Sequence, residues 1–183
     1  QLATFAAVLM LGVEAGIVFG IILSLMVYLW RTSRPHVAIV GRVPGTEHYR
    51  NIHRHRVETQ TNILALRPDE NLYFANAVFL EEYILNEVSE HPEINQVLLI
   101  CNAISFIDTS ALESLESLIV DLREVGVQVH LAEVKGPVMD RLGRSNLLDD
   151  LTPGKIFLST HEAFEALRAL NKSDSRSGPE YMI

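Results

Sequence analysis

The first 30 positions are almost entirely hydrophobic, and Glu14 is the only charged side chain among them. As a helix, residues 13–30 would be about 27 Å long, close to the roughly 30 Å hydrocarbon core of a bilayer. Gly12 and Gly16 flank Glu14; glycine loosens a helix, and a carboxylate is costly in lipid. We therefore predict a terminal transmembrane region over residues 1–30, either as one long tilted helix or as the end of one span followed by another.

Residues that favour the membrane–water interface follow this segment. Tyr28 and Trp30 lie near its end, where amphipathic rings prefer the interface, and Arg31 and Arg34 come next. Positively charged flanks stay on the cytoplasmic side of a membrane. The pattern thus predicts that the chain after residue 30 is cytoplasmic.

From residue 63 onward, short apolar runs alternate with longer segments of helical periodicity. The predicted strands are residues 63–66, 97–101, 127–132 and 155–158. The predicted helices are residues 76–90, 109–124, 137–145 and 160–170. Residues 72–74 are predicted as a further strand, in a hairpin with 63–66. This alternation predicts an α/β fold in which much of the sheet is parallel, and the unbroken apolar run 97–101 indicates a strand buried on both faces.

The same pattern divides the chain into domains. Residues 31–62 are predicted as a juxtamembrane connector with the first strand or strands of the domain, and residues 63–170 as the domain core. The polar tail, residues 171–183, is predicted to be disordered. On the predicted helix of residues 76–90, the core-facing side chains are expected to be Val78, Phe79, Tyr83, Ile84 and Val88.

Charge is distributed unevenly around the net value of −8. Residues 1–62 carry six Lys and Arg against three Asp and Glu, a balance of +3, whereas residues 63–183 carry nine against twenty, a balance of −11. An acidic domain repels a phosphate backbone, so no nucleic acid is expected as a partner. The chain begins with Gln1 inside an apolar stretch that lacks the features of a secretory signal. We expect it to be part of a longer chain, cut within its membrane region.

The loop of residues 105–110 lies between a predicted buried strand and a predicted helix, where α/β sheets often place ligand sites. Two interpretations are open for Asp108, Thr109 and Ser110. The residues could cap the helix, with Ser110 and Glu113 forming a capping box or Asp108 acting alone. Alternatively, the helix start could bind an anion or carry a phosphate.

Residues 107–112, Ile-Asp-Thr-Ser-Ala-Leu, resemble the signature loop of STAS domains. That fold is shared by anti-sigma-factor antagonists and the cytoplasmic ends of sulfate permease (SulP) family transporters. It implies a mixed sheet with helices packed mainly on one side. In the antagonists, the second hydroxyl residue of an Asp-Ser-Ser-Gly motif is phosphorylated, and Ser110 matches it. This chain has Thr109 and Ala111 where those antagonists have serine and glycine.

Other segments resemble the transporter branch. Residues 12–16 with the apolar run to Arg31 are similar to the last transmembrane region of SulP permeases, and residues 43–51 and 72–76 are similar to their entry into the STAS domain. The resemblance implies a multi-pass cell-membrane protein that transports an inorganic anion by symport or exchange, with a cytoplasmic STAS domain for regulation, folding or interaction. Sulfate, bicarbonate and dicarboxylates all remain open as substrates.

The predicted partners are the lipid bilayer, an upstream transmembrane domain of the same polypeptide, and a protein surface at the helix face of Ser110, either a cytoplasmic protein or the transporter's own membrane core. Glu113 and Glu116 are the candidate contacts on that face. The resemblance also implies a second copy in a homodimer. The alternative function is a membrane-tethered module of the antagonist type, switched by phosphorylation at Ser110.

The remaining candidate residues have simpler interpretations. Glu14 could lie on an ion pathway or could favour a helix N-terminus. His53 and His55 would share one face of a strand, but no acidic or cysteine partner accompanies them. Together with His48, Arg50, Arg54 and Arg56, they predict a basic surface near anionic lipid rather than a metal site. Cys101, the single cysteine, is predicted to be an inert core residue. No catalytic motif is present, so no enzyme activity and no cofactor are expected.

Overall fold

A computed structural model of the chain describes Phe5 and residues 12–174, with side chains described only as far as residue 170. The chain divides into two units, Gln1–Pro35 and His36–Ile183. The rest of the predicted terminal region before residue 12, and the tail after residue 174, lie outside the described residues.

Helix α1, Val13–Thr32, makes up most of the described part of the first unit. It begins after Gly12, whose φ of 86° is a left-handed conformation that favours glycine. Its mean hydropathy of 2.0 and its length suffice to cross a membrane. Apolar side chains such as Ile21 and Met26 are 62% exposed. A helix that is apolar on all sides, rather than on one stripe, is typical of a membrane span.

Six strands form one mixed sheet in the order β2-β1-β3-β4-β5-β6. The strands are β1 Val37–Arg42, β2 Tyr49–Asn51, β3 Ile63–Pro68, β4 Gln96–Ile100, β5 Gln128–Ala132 and β6 Ile156–Phe157. Strands β2, β1 and β3 pair antiparallel, and β3 to β6 pair parallel. The mixed α/β sheet predicted from the alternation is confirmed, and every residue of β4 is buried.

Helices cover the two faces of this sheet unequally. They are α2 Phe74–Glu90, α3 Thr109–Glu124, α4 Gly136–Leu142, α5 Leu147–Asp150 and α6 Thr160–Asp174. Alternate strand residues such as Leu99 pack with α2 to α5 in the larger core, while Leu98 packs with α6 in the smaller one. Four helices on one face and one on the other agree with the predicted layering. Helix α6 continues to Asp174, so the first four residues of the predicted tail are helical.

The predicted hairpin between residues 63–66 and 72–74 is wrong. Both edges of β3 are occupied, by β1 and by β4, so no edge is left for a third partner. Leu72 instead makes a single parallel bridge with Ile107, and α2 already begins at Phe74. Asn76 lies inside the helix, where its Oδ1 accepts from Tyr73 N at 3.0 Å.

The predicted core face of α2 is also partly wrong. The fully buried residues are Asn76, Ala77, Leu80 and Ile84, whereas Val78 is 51% exposed. Apolar residues occur on more than one side of this helix, so spacing alone could not select the face that packs on α3.

Candidate functional site

The loop that follows β4 is joined to the segment before α2 by backbone and side-chain hydrogen bonds. Leu72 N donates to Phe106 O, and Asp108 N donates to Leu72 O, each at 3.2 Å. Asn71 Oδ1 accepts from Ser105 N at 2.7 Å and from Phe106 N at 3.0 Å. These contacts hold the loop in place from a segment more than 30 residues earlier in the chain.

Asp108 connects the starts of two helices. Its Oδ1 accepts from Ala111 N at 2.8 Å, which makes Asp108 the N-cap of α3. Its Oδ2 accepts from Phe74 N, the first residue of α2, at 2.9 Å. Each bond satisfies a backbone donor that has no partner within its own helix. Of the two capping arrangements open from the sequence, Asp108 acting alone is the one found.

Thr109 and Ser110 form the first turn of α3, and both are exposed. Ser110 therefore does not occupy the N-cap that a capping box with Glu113 would require. The hydroxyl of Ser110 lies on the surface at the positive end of a 16-residue helix. The structure thus places the three candidate residues together but gives them different surroundings.

Two basic side chains, one in α4 and one just before it, contact this loop. Arg141 in α4 donates to Ile107 O at 2.8 Å, and its guanidinium lies 4.7 Å from the centroid of the Phe106 ring. Lys135 Nζ donates to Ser105 Oγ at 2.8 Å. The sequence did not single out Lys135 or Arg141, because no local motif connects these residues with a loop 30 or more residues earlier in the chain.

The proposed partner face borders an open cleft between α3 and the α4–α5 turn, with a volume of about 450 Å³. Glu113 is exposed and Glu116 is half-buried, and both line the cleft together with Thr109, Arg141 and Arg144. The cleft therefore offers carboxylates on one wall and guanidinium groups on the other. Ser110 is not among the residues that line it.

The other candidates lie away from this site or have structural roles. Glu14 is exposed in the first turn of α1. His53 and His55 lie in the turn after β2 and not on a strand face as predicted, because β2 ends at Asn51. Among residues 12–170 and Phe5, no three His, Cys, Asp or Glu side chains are grouped to hold a metal ion. Cys101 is buried, and burial raises the pKa of its thiol to about 12.

Curated sulfate transporters are similar to this chain over most of its length. High affinity sulfate transporter 2 of Stylosanthes hamata is 31% identical over 172 residues, which cover 88% of this chain and 26% of that protein. The chain spans about a quarter of the length of the curated relatives it matches.

Solved structures with less than 25% sequence identity to this chain share its fold. The murine Solute Carrier 26 family member A9 anion transporter, in the inward-facing state, aligns with a TM-score of 0.79 and 20% identity, over 92% of this chain and 28% of that chain. A candidate anti-sigma factor antagonist from Thermotoga maritima aligns with a TM-score of 0.53 and 22% identity, over 61% of this chain and 92% of that chain. The STAS domain family model matches residues 54–163, more than half of the 183 residues, and the chain therefore belongs to the STAS domain family.

Proposed function

We propose that this chain is the STAS domain and the preceding membrane span of a secondary active transporter for sulfate or a similar inorganic anion. One observation carries the proposal. The alignment with the sulfate transporter covers 88% of the chain, whereas His36–Ile183 makes up 148 of 183 residues, or 81%. The similarity therefore extends from the STAS domain into the apolar unit. A STAS domain joined to a span is expected in a transporter and not in a free-standing antagonist.

In this proposal the chain supports transport without forming the anion path. A polar path across a bilayer needs several helices packed around a cavity, and α1 is the single helix in the described residues that could cross a membrane. The protein would be a multi-pass component of the cell membrane, with the STAS domain on the cytoplasmic side and no enzymatic role. Its upstream membrane domain, the lipid around it and a second copy are the proposed partners. Glu113 and Glu116 are proposed to contact a protein surface, either the membrane domain or a cytoplasmic protein.

Sulfate uptake into proteoliposomes tests this function. We expect uptake by the full-length transporter and none by residues 1–183 alone. Deleting residues 36–183 from the full-length protein should reduce uptake at least tenfold, and Glu113→Lys with Glu116→Lys should reduce it severalfold. Glu82→Lys with Glu90→Lys, which reverses two exposed carboxylates on α2, is the control for the same change in charge. Uptake by the chain alone, or full activity without the domain, would contradict the proposal, and competition by bicarbonate or a dicarboxylate identifies the anion class.

A second candidate function is a switch by phosphorylation at Ser110. The observation in its favour is that Ser110 is exposed in the first turn of α3 while Asp108 alone caps the helix. A phosphate there would add about −1.5 to −2 charges next to a helix N-terminus, which favours negative charge. It would leave the Asp108 cap in place, so it would change the surface and not the fold.

Phosphopeptide mass spectrometry of the full-length transporter from its native host tests the switch. We expect phosphate on Ser110, with fragmentation that distinguishes it from Thr109. Ser110→Asp should then change transport or partner binding by about tenfold relative to Ser110→Ala. If both variants match the unmodified protein in transport and in binding, Ser110 has no switching role.

A further inference from the structure

The turn after β2 concentrates basic side chains that the proposed function does not use. Residues 48–56 contain three arginines and three histidines and no Asp or Glu. All six side chains are exposed: His48, Arg50, His53, Arg54, His55 and Arg56. We call residues 50–56 the basic turn. It is a positive pole on a domain whose residues 63–183 carry a balance of −11.

The charge of the basic turn is not neutralised within the domain. Ion pairs elsewhere join Arg42 to Glu165 at 3.0 Å and Arg67 to Asp69 at 2.8 Å. In the part of the chain that the structure describes, no carboxylate lies within 4 Å of a cationic nitrogen of Arg50, Arg54 or Arg56. These arginines are therefore free to meet an external anionic surface.

Strand pairing brings the basic turn back towards the beginning of β1. Strand β2 runs antiparallel to β1, with Asn51 opposite Val40, and Ile52 N donates to Ile39 O at 3.1 Å. Ile52 of the basic turn is therefore paired with Ile39, the third residue of β1. Only residues 33–36 separate β1 from the last residue of α1, and the five steps from Thr32 to Val37 span at most about 18 Å. If α1 spans a bilayer, the chain itself keeps this end of β1 within reach of the lipid headgroups.

We propose that the basic turn docks the STAS domain on the anionic headgroups of the cytoplasmic leaflet. The inference rests on the membrane span proposed above. Charge complementarity and the short covalent link favour a lipid surface over an acidic protein or a second copy of the chain. Each arginine near an anionic membrane contributes about fivefold to the docked fraction, which corresponds to about 1 kcal/mol. Arg54 and Arg56 together should change the ratio of docked to undocked domains about thirtyfold.

Fluorescence quenching on residues 1–183 in nanodiscs tests this docking. Ile52→Cys places a fluorophore within the basic turn, and the native Cys101 should not compete because burial raises the pKa of its thiol to about 12. The nanodiscs carry nitroxide-labelled headgroups in phosphatidylcholine alone or with roughly one-third phosphatidylserine. We expect strong quenching only with phosphatidylserine, lost at high salt and in Arg54→Gln with Arg56→Gln. The matched control is Arg123→Gln with Lys155→Gln, which removes two exposed cations elsewhere in the domain and should keep the quenching.

The possible failures are distinguishable. Quenching that is equal in the two lipid compositions, or lost equally in the control variant, would overturn the docking surface while leaving the membrane span intact. Energy transfer between two labelled copies that requires Arg54 and Arg56 but not phosphatidylserine would assign the turn to a second copy and overturn the lipid proposal. Failure of the chain to co-purify with nanodiscs would overturn both the span and the docking.

Discussion

Replacing Asp108 with alanine is expected to destabilise the domain by about 2–3 kcal/mol and to loosen two helices at once. The carboxylate caps α3 through Ala111 N and accepts from Phe74 N at the start of α2. Loss of an N-cap costs about 1–2 kcal/mol, and loss of a second hydrogen bond costs about 1 kcal/mol more. Urea unfolding of the chain in detergent measures the stability. Hydrogen exchange should rise in both helix starts, around Phe74 and around Ala111.

A double-mutant cycle separates the two bonds of Asp108. Phe74→Pro removes the donor to Oδ2 while keeping a residue that suits the first position of a helix, and the side chain it replaces is 65% exposed. Tyr73 has φ −153° and ψ 171°, a conformation that is compatible with a following proline. Asp108→Ala should therefore cost about 1 kcal/mol less in the Phe74→Pro protein. Ser110→Ala is the control and should change stability by no more than about 0.5 kcal/mol. Equal costs of Asp108→Ala in both backgrounds would show that the link to α2 contributes nothing.

This role of Asp108 bears on how the candidate site could act. Because both carboxylate oxygens are engaged with backbone donors, Asp108 fixes the loop instead of presenting a free acid. Thr109 and Ser110 are then presented by a rigid helix start on a surface that also includes Phe106 and Arg141. A charge change at Ser110 would alter this surface directly, which suits recognition by a partner better than a rearrangement of the fold.

The sequence was sufficient for the parts of the fold that depend on local pattern. An apolar segment of membrane length, strands such as β4 that are hydrophobic without interruption, and the helix α3 with its single apolar stripe were all located within a few residues. Predictions from local pattern were wrong where the pairing of distant strands determines the secondary structure. Residues 72–74 have strand-forming side chains, but β1 and β4 already occupy both edges of β3. The start of α2 then depends on Asn76, whose side chain bonds to Tyr73 N and Asn71 O.

The candidate site was predictable only in part for the same reason. The position of the loop before α3 and the capping potential of Asp108 are local properties. The partner of its second oxygen, Phe74, is 34 residues earlier. Arg141, which bonds to Ile107 O, is 34 residues after Ile107. No spacing rule connects such positions, since the sheet register and the packing of α4 bring them together.

Acid is expected to produce a second large effect. As the pH falls from 7 to 4, the lowered pKa of His130 should reduce the stability of the domain by about 3 kcal/mol. His130 is 1% exposed in β5. Its Nδ1 accepts from Lys155 N at 3.0 Å, so the ring proton is on Nε2, which donates to Gln96 Oε1. Both ring nitrogens are thus engaged in a way that only the neutral imidazole satisfies.

The direction of the pH effect follows from the shifted pKa. Burial, together with the nearby Lys155 ammonium, lowers the pKa of His130 from 6.5 to about 4. Between these values the unfolded chain binds a proton that the folded chain does not, so stability falls as the pH falls. The stabilisation by the neutral ring is complete above pH 6.5 and is lost as the pH drops through about 4. The difference between the pKa values of His130 in the unfolded and the folded chain corresponds to about 3 kcal/mol, at about 1.4 kcal/mol for each pKa unit.

Comparison with His130→Gln isolates this contribution from the carboxylates that titrate over the same range. Glutamine keeps an N–H donor for Gln96 Oε1 but has no group that titrates. It should be less stable than the native chain at pH 7, because Lys155 N loses its acceptor. Urea unfolding at a series of pH values should show the native chain losing about 3 kcal/mol more than His130→Gln between pH 7 and pH 4. Parallel pH profiles for the two proteins would mean that His130 accepts its proton in the folded domain as readily as in the unfolded chain, and that the buried pair with Gln96 does not control acid stability.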